Sequence, residues 1–149
     1  MAFKLRDTLV ALKTHLQGSE RFDDVTIGEP LSAPSGVHCA VLLSGNEMSA
    51  LTLSGTIEQR TVTIRVYVSA LSEPKEETEF LLDDIQAEVV EDVCGDFDLG
   101  ATGIRSIEPI GITVRYGYQT IGGGGNNALF RIMDINLPMT VDDSAVLTQ

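Results

Sequence analysis

The sequence contains no tryptophan, two cysteines and no run of basic residues even three long. Each scarcity excludes something. With aromatics at 5% of the chain, an interface is expected to be aliphatic and polar instead of built on aromatic anchors. Cys39 and Cys94 are far apart and outside any metal-ligand spacing, so they read as two reduced thiols in a cytosolic protein. The N-terminal residues Phe3, Lys4, Leu5, Arg6 and Asp7 alternate charge with apolar character and lack the apolar run of a signal peptide. No stretch reaches the apolar length that spans a bilayer, and the chain is expected to be soluble. Ten basic residues face 22 acidic ones, a formal charge of −12 and a pI near 4.3. Direct binding to a phosphate backbone needs clustered Lys and Arg, which this balance excludes. Solubility is the plain use of such acidity.

Catalytic groups are equally sparse. His15 and His38 are the two histidines, no G-x-S-x-G elbow occurs, and both histidines read as surface residues. Cys94 precedes Gly95 at a helix end, where the dipole's negative pole dulls a thiol. Asp96 and Asp98 form a D-x-D pattern without the remaining ligands of a calcium loop. The run Gly122–Gly125 lacks the lysine and following helix of a phosphate loop, so it reads as a flexible connection. No catalytic residue, metal site or cofactor is expected.

What is present is a patterned globular chain. Its 149 residues, 43% of them hydrophobic, suit one domain over 1–143 with a loose tail over 144–149. Phe3, Leu5, Leu9, Leu12 and Leu16 mark a first helix with Gly18 as its left-handed stop. Glycines and prolines then predict a long loop to about Gly36. Val37, Cys39, Val41 and Leu43 share one side of a strand, and residues 44–55 read as an exposed hairpin tip. In the strand Thr61–Val68, Val62, Ile64, Val66 and Val68 face a core, while Thr61, Thr63, Arg65 and Tyr67 form an accessible face. A second helix begins near Pro74, with Glu73, Glu76, Glu77 and Glu79 at its positive end and Leu82, Ile85, Val89 and Val93 as its stripe. Two more strands follow, around Ile112–Gln119 and Leu129–Leu137. The order helix-strand-strand-helix-strand-strand predicts an α+β domain, its two helices packed on one face of a mainly antiparallel sheet.

Several phrases occur in an order that resembles the tail-terminator family of long-tailed bacteriophages. Phe22-Asp23-Asp24-Val25-Thr26-Ile27-Gly28-Glu29-Pro30 is followed by Ser32-Ala33-Pro34-Ser35-Gly36. The strand Thr61–Val68 leads through Leu71-Ser72-Glu73-Pro74 into the second helix, and Gly95-Asp96-Phe97-Asp98-Leu99-Gly100 follows it. Leu129-Phe130-Arg131-Ile132-Met133 runs on to Asn136-Leu137-Pro138-Met139-Thr140-Val141-Asp142-Asp143. The resemblance covers nearly the whole chain. It implies a small α+β virion protein, not an enzyme, six copies of which close a ring on the tail tube and present a surface to the head connector. Implied partners are copies of itself, the tube protein, the neck or connector proteins, and a sheath protein if the tail contracts. DNA would only pass through the lumen, which acidic subunits would keep from sticking. The implied locations are the virion's tail or neck and, during assembly, the host cytoplasm.

A ring needs two unlike patches on each subunit. Candidates are the loop residues Glu29, Pro30, Leu31 and Ser32, the strand face Thr61, Thr63, Arg65 and Tyr67, and Arg115 on a later strand. Competing readings are another neck or tail-completion component, a tail-tube subunit, an acidic DNA mimic, and a hydrolase using paired carboxylates.

Overall fold

The computed structural model describes residues 6–30, 34, 36–52, 55–70, 75–95, 104–107, 112–123 and 126–142. Phe3, Leu5, Leu31, Ser32, Pro74, Asp96, Asp98 and the segment 144–149 lie outside the described residues.

Helix α1 (Arg6–Gly18) buries Leu12 and Leu16 and half-buries Leu9, the stripe its spacing predicts. The left-handed residue after it is not Gly18 but Glu20, at φ 60°. Backbone bonds from Ser19 to Leu16 and from Glu20 to Gln17 close the last turn and carry the chain past Gly18. Strand β1 (Asp24–Ile27) lies inside the stretch expected to be all loop. It runs parallel to β2 (His38–Thr52), with Val25 opposite Cys39. The connection is locked at its far end, where Asp23 N–H donates to Val37 C=O at 2.8 Å and Val37 N–H donates to the Asp23 carboxylate at 2.7 Å. Gly36, at φ 73°, sits against that carboxylate so closely that a Cβ would collide with it.

β2 pairs antiparallel with β3 (Gly55–Ser69) from His38↔Tyr67 out to Thr52↔Gly55. Residues 44–52 are therefore strand, not the hairpin tip their Ser, Gly and Asn content suggests. Two register shifts, at Leu43/Gly45 and Met48/Ala50, absorb their irregularity. Helix α2 (Lys75–Gly95) opens with Glu76 and Glu77 and buries Leu82, Ile85 and Val89. Then come β4 (Ile104–Ile107), β5 (Thr113–Gly123) and β6 (Asn126–Asp142). Pairing of β5 with β6 continues to Gly123↔Asn126, so two of the four glycines, Gly122 and Gly123, belong to the ladder, not to a loop.

The sheet order is β1-β2-β3-β6-β4, with β5 also on β6, which makes β6 a central strand. The fold is thus α+β and mainly antiparallel, with two short strands, β1 and β4, more than the pattern predicts. One core joins both helices to one sheet face: Leu12, Leu16, Leu82, Ile85 and Val89 meet Val41, Val62, Ile64, Val66, Met133, Ile135 and Leu137. Burying each such aliphatic side chain is worth about 1.5–3 kcal/mol, which outweighs the modest strand propensity of the polar positions between them.

Cys39 belongs to this core, and burial pushes its thiol up to about 12. In a Cys94→Ser background, native Cys39 should react with a disulfide reagent at pH 8 at least about 100-fold more slowly than in urea, because the thiolate fraction is suppressed. Absorbance of the released thiol measures this directly.

Candidate functional site

The sheet face turned away from the helices carries the residues expected to meet a partner. The register sets His38 beside Tyr67, Arg65 beside Asp134, and Thr63 beside Asn136, while Arg115 of β5 also lies opposite Asp134. This face is largely closed. Thr63 and Tyr67, expected to be accessible, are 4% and 0% exposed, and His38, read as a surface residue, is 3% exposed. Their long-range neighbours cover them: Tyr67 packs with Ile121 and Phe130 in a second small cluster and stacks on His38 at 5.8 Å.

Arg65 is the hub. Its Nε and Nη2 donate to the two carboxylate oxygens of Asp134 at 2.7 and 3.0 Å, the paired geometry in which guanidinium–carboxylate bonds are strongest. Nη1 donates to Glu29 and, at 3.3 Å, to Gln119. The bonds to Asp134 outweigh desolvation and hold Arg65 more firmly charged than usual. One step along the sheet, Thr63 donates to Asn136 Oδ1 at 2.5 Å, and Asn136 Nδ2 donates to Thr113 at 3.1 Å. The Tyr67 hydroxyl lies beside Arg65 without a hydrogen bond of full geometry. Burial raises its pKa despite the neighbouring cation. His15, read as solvent-facing, is half-buried, and its Nε2 is enclosed without a hydrogen-bond partner among the described residues.

His38 ties the edge strand to this cluster. The Thr26 hydroxyl donates to Gly28 C=O at 2.9 Å, so at 3.0 Å it accepts from His38 Nε2–H, which leaves Nδ1 bare. Burial lowers the His38 pKa below its ordinary 6.5, and the Asp24 carboxylate, 3.9 Å from Nδ1, opposes this only in part. A base with a depressed pKa binds fewer protons folded than unfolded, so folding stability falls as pH drops through 6.5 toward the folded value. His38→Gln should flatten that part of the curve in urea titrations between pH 7 and 5.5, and the His38 ring resonance should titrate below 6.5.

The structure therefore brings Glu29, Thr63, Arg65 and Tyr67 onto one face, where Arg65 is bonded to Glu29 and Asp134 and Thr63 to Asn136, while Tyr67 is buried. Thr61 sits further out, its carbonyl accepting from Ser44 at 3.2 Å, and Pro30 is half-buried. Arg115 is exposed and makes no ion pair among the described residues. The sequence reading missed Asp134, Gln119 and His38 as members of the cluster. Chemically, the arrangement clamps β3, β5 and β6 together and holds the segment after β1 against them.

A second cluster lies on the helix side of β5. Arg131 sits over Tyr118 at 4.8 Å and Tyr116 at 5.6 Å, while its guanidinium donates to both carboxylate oxygens of Glu79 on α2, at 2.9 and 3.3 Å. Tyr116 and Tyr118 remain 46% and 63% exposed, and Phe80 is 60% exposed.

Among the described residues no group of three or more His, Cys, Asp or Glu side chains is placed to hold a metal ion. No helix among them is long and apolar enough to cross a membrane. No family model matches the sequence, and no curated protein matches it.

Proposed function

We propose that this chain is a structural subunit of a long-tailed phage virion, closing as a ring of copies on the end of the tail tube. There it stops tube growth and offers a surface to the head connector. The observation that carries this reading is the ordered series of phrases from Phe22 to Asp143 that resembles tail terminators. The first of these phrases is tied into the fold: it contains β1 and Glu29, which is ion-paired to Arg65 in the strand of a later phrase. Self-satisfied polar clusters also suit a part that mates by shape, since a pre-ordered surface loses little entropy on docking.

Purified tube protein, polymerised with and without this chain and imaged in negative stain, tests the proposal. Short tubes ended by a ring are expected. Tubes that lengthen by incorporating the chain would make it a tube subunit. Tubes of unchanged length with bare ends would sink the terminator reading. Virions lacking the protein should show overlong tails, or normal-length tails detached from heads.

A further inference from the structure

We infer that the outer edge of β5 is a docking site for an extended, basic segment of a partner protein, which adds to the sheet as a further strand. This stands apart from the tail reading and survives its failure. Among the described residues β5 pairs with β6 alone. Its side chains are exposed on both faces, Thr113 and Arg115 on one and Tyr116, Tyr118 and Thr120 on the other. Open edges usually carry lysines, prolines or inward charges that repel a new strand. Here Thr113–Gly123 has no lysine or proline, and its one charge is Arg115.

The surroundings select the occupant. Arg131, the cation beneath Tyr116 and Tyr118, is neutralised by Glu79. Glu76 and Asp83 lie a turn to either side of Glu79 on the same face of α2, both exposed. An added strand thus meets two exposed tyrosine rings, and on the helix side two exposed acids of α2, Glu76 and Asp83, that make no ion pair among the described residues. Lys or Arg at every second position fits both features, stacking on the rings and reaching the acids. A second copy of this chain fits poorly. The strand it would offer to this edge, β1 at its opposite sheet edge, exposes Asp24 with exposed Asp23 just before it, which adds acid to acid.

The test titrates the full chain, isotopically labelled, with a capped nine-residue peptide alternating Arg and Thr, and with a control alternating Glu and Thr. Amide shifts concentrated in Thr113–Ile121 are expected for the Arg peptide alone. Binding should weaken roughly tenfold as salt rises from about 50 to 300 mM. Tyr116→Ser/Tyr118→Ser should abolish the shifts while leaving the α1 and β3 amides in place. Equal shifts with the Glu peptide, or none in β5, would overturn the proposal. So would sedimentation showing a dimer of the chain alone that Tyr118→Ser dissociates, since a second copy would then be the occupant.

Discussion

Replacing Arg65 with methionine is expected to cost about 2–3 kcal/mol of folding stability, read as a lower urea midpoint at unchanged slope. Breaking a buried ion pair by removing one partner costs about 3–5 kcal/mol, because the other charge stays behind in low dielectric. Arg65 and Asp134 are each about one-fifth exposed, at 21% and 22%, which places this pair near the lower end. Glu29, at 49%, rehydrates easily and adds little. The same reasoning fixes the sign of a second measurement. Arg65→Met combined with Asp134→Leu should be more stable than Arg65→Met alone, since the orphaned carboxylate is gone. If the single change cost under about 0.5 kcal/mol, the cluster would be behaving as a solvated surface pair and could not be the clamp described above.

The largest loss is expected at Ile64. It is fully buried in β3, between β2 and β6, within the core that both helices share. Ile64→Ala removes its apolar contact and leaves a cavity that two flanking strands cannot collapse to fill, so about 4 kcal/mol should go. Phe80→Ala on the exposed side of α2 is the matched control and should change stability by less than about 0.5 kcal/mol, despite removing more carbon. Both are read by urea denaturation. A small effect at Ile64 would mean that the strand alternation does not define the core.

That alternation was legible because period-two patterning reports burial on one face directly: Val62, Ile64 and Val66 are all fully buried. Helix stripes were equally readable in Leu12 and Leu16 and in Leu82, Ile85 and Val89. The polar alternates misled. Thr63, Arg65 and Tyr67 look like a wetted face until Asn136, Asp134 and Phe130 are brought against them, and nothing local encodes a partner so distant in sequence. β1 was illegible for a related reason. It has four residues, its partner is parallel, and what fixes it is a glycine contact and two hydrogen bonds between Asp23 and Val37. Composition misplaced residues 44–52 as well, because strand formation there depends on cross-strand pairing more than on intrinsic preference. Tyr116 and Tyr118 were read as part of an ordinary strand, and their exposure follows from β5 standing at a sheet edge.

The central position of β6 has a consequence for biosynthesis. While a ribosome is still making the middle of the polypeptide, Val62, Ile64 and Val66 have already emerged, yet Ser69 must wait for Phe130 and Val62 for Leu137 before that flank is covered. The nascent protein therefore carries an open hydrophobic seam along this strand until residues 130–137, far downstream, have been made. Such late, long-range closure is slow and invites aggregation, so yield in a host cell should depend on chaperone supply and on growth temperature more than the finished fold's stability alone would suggest.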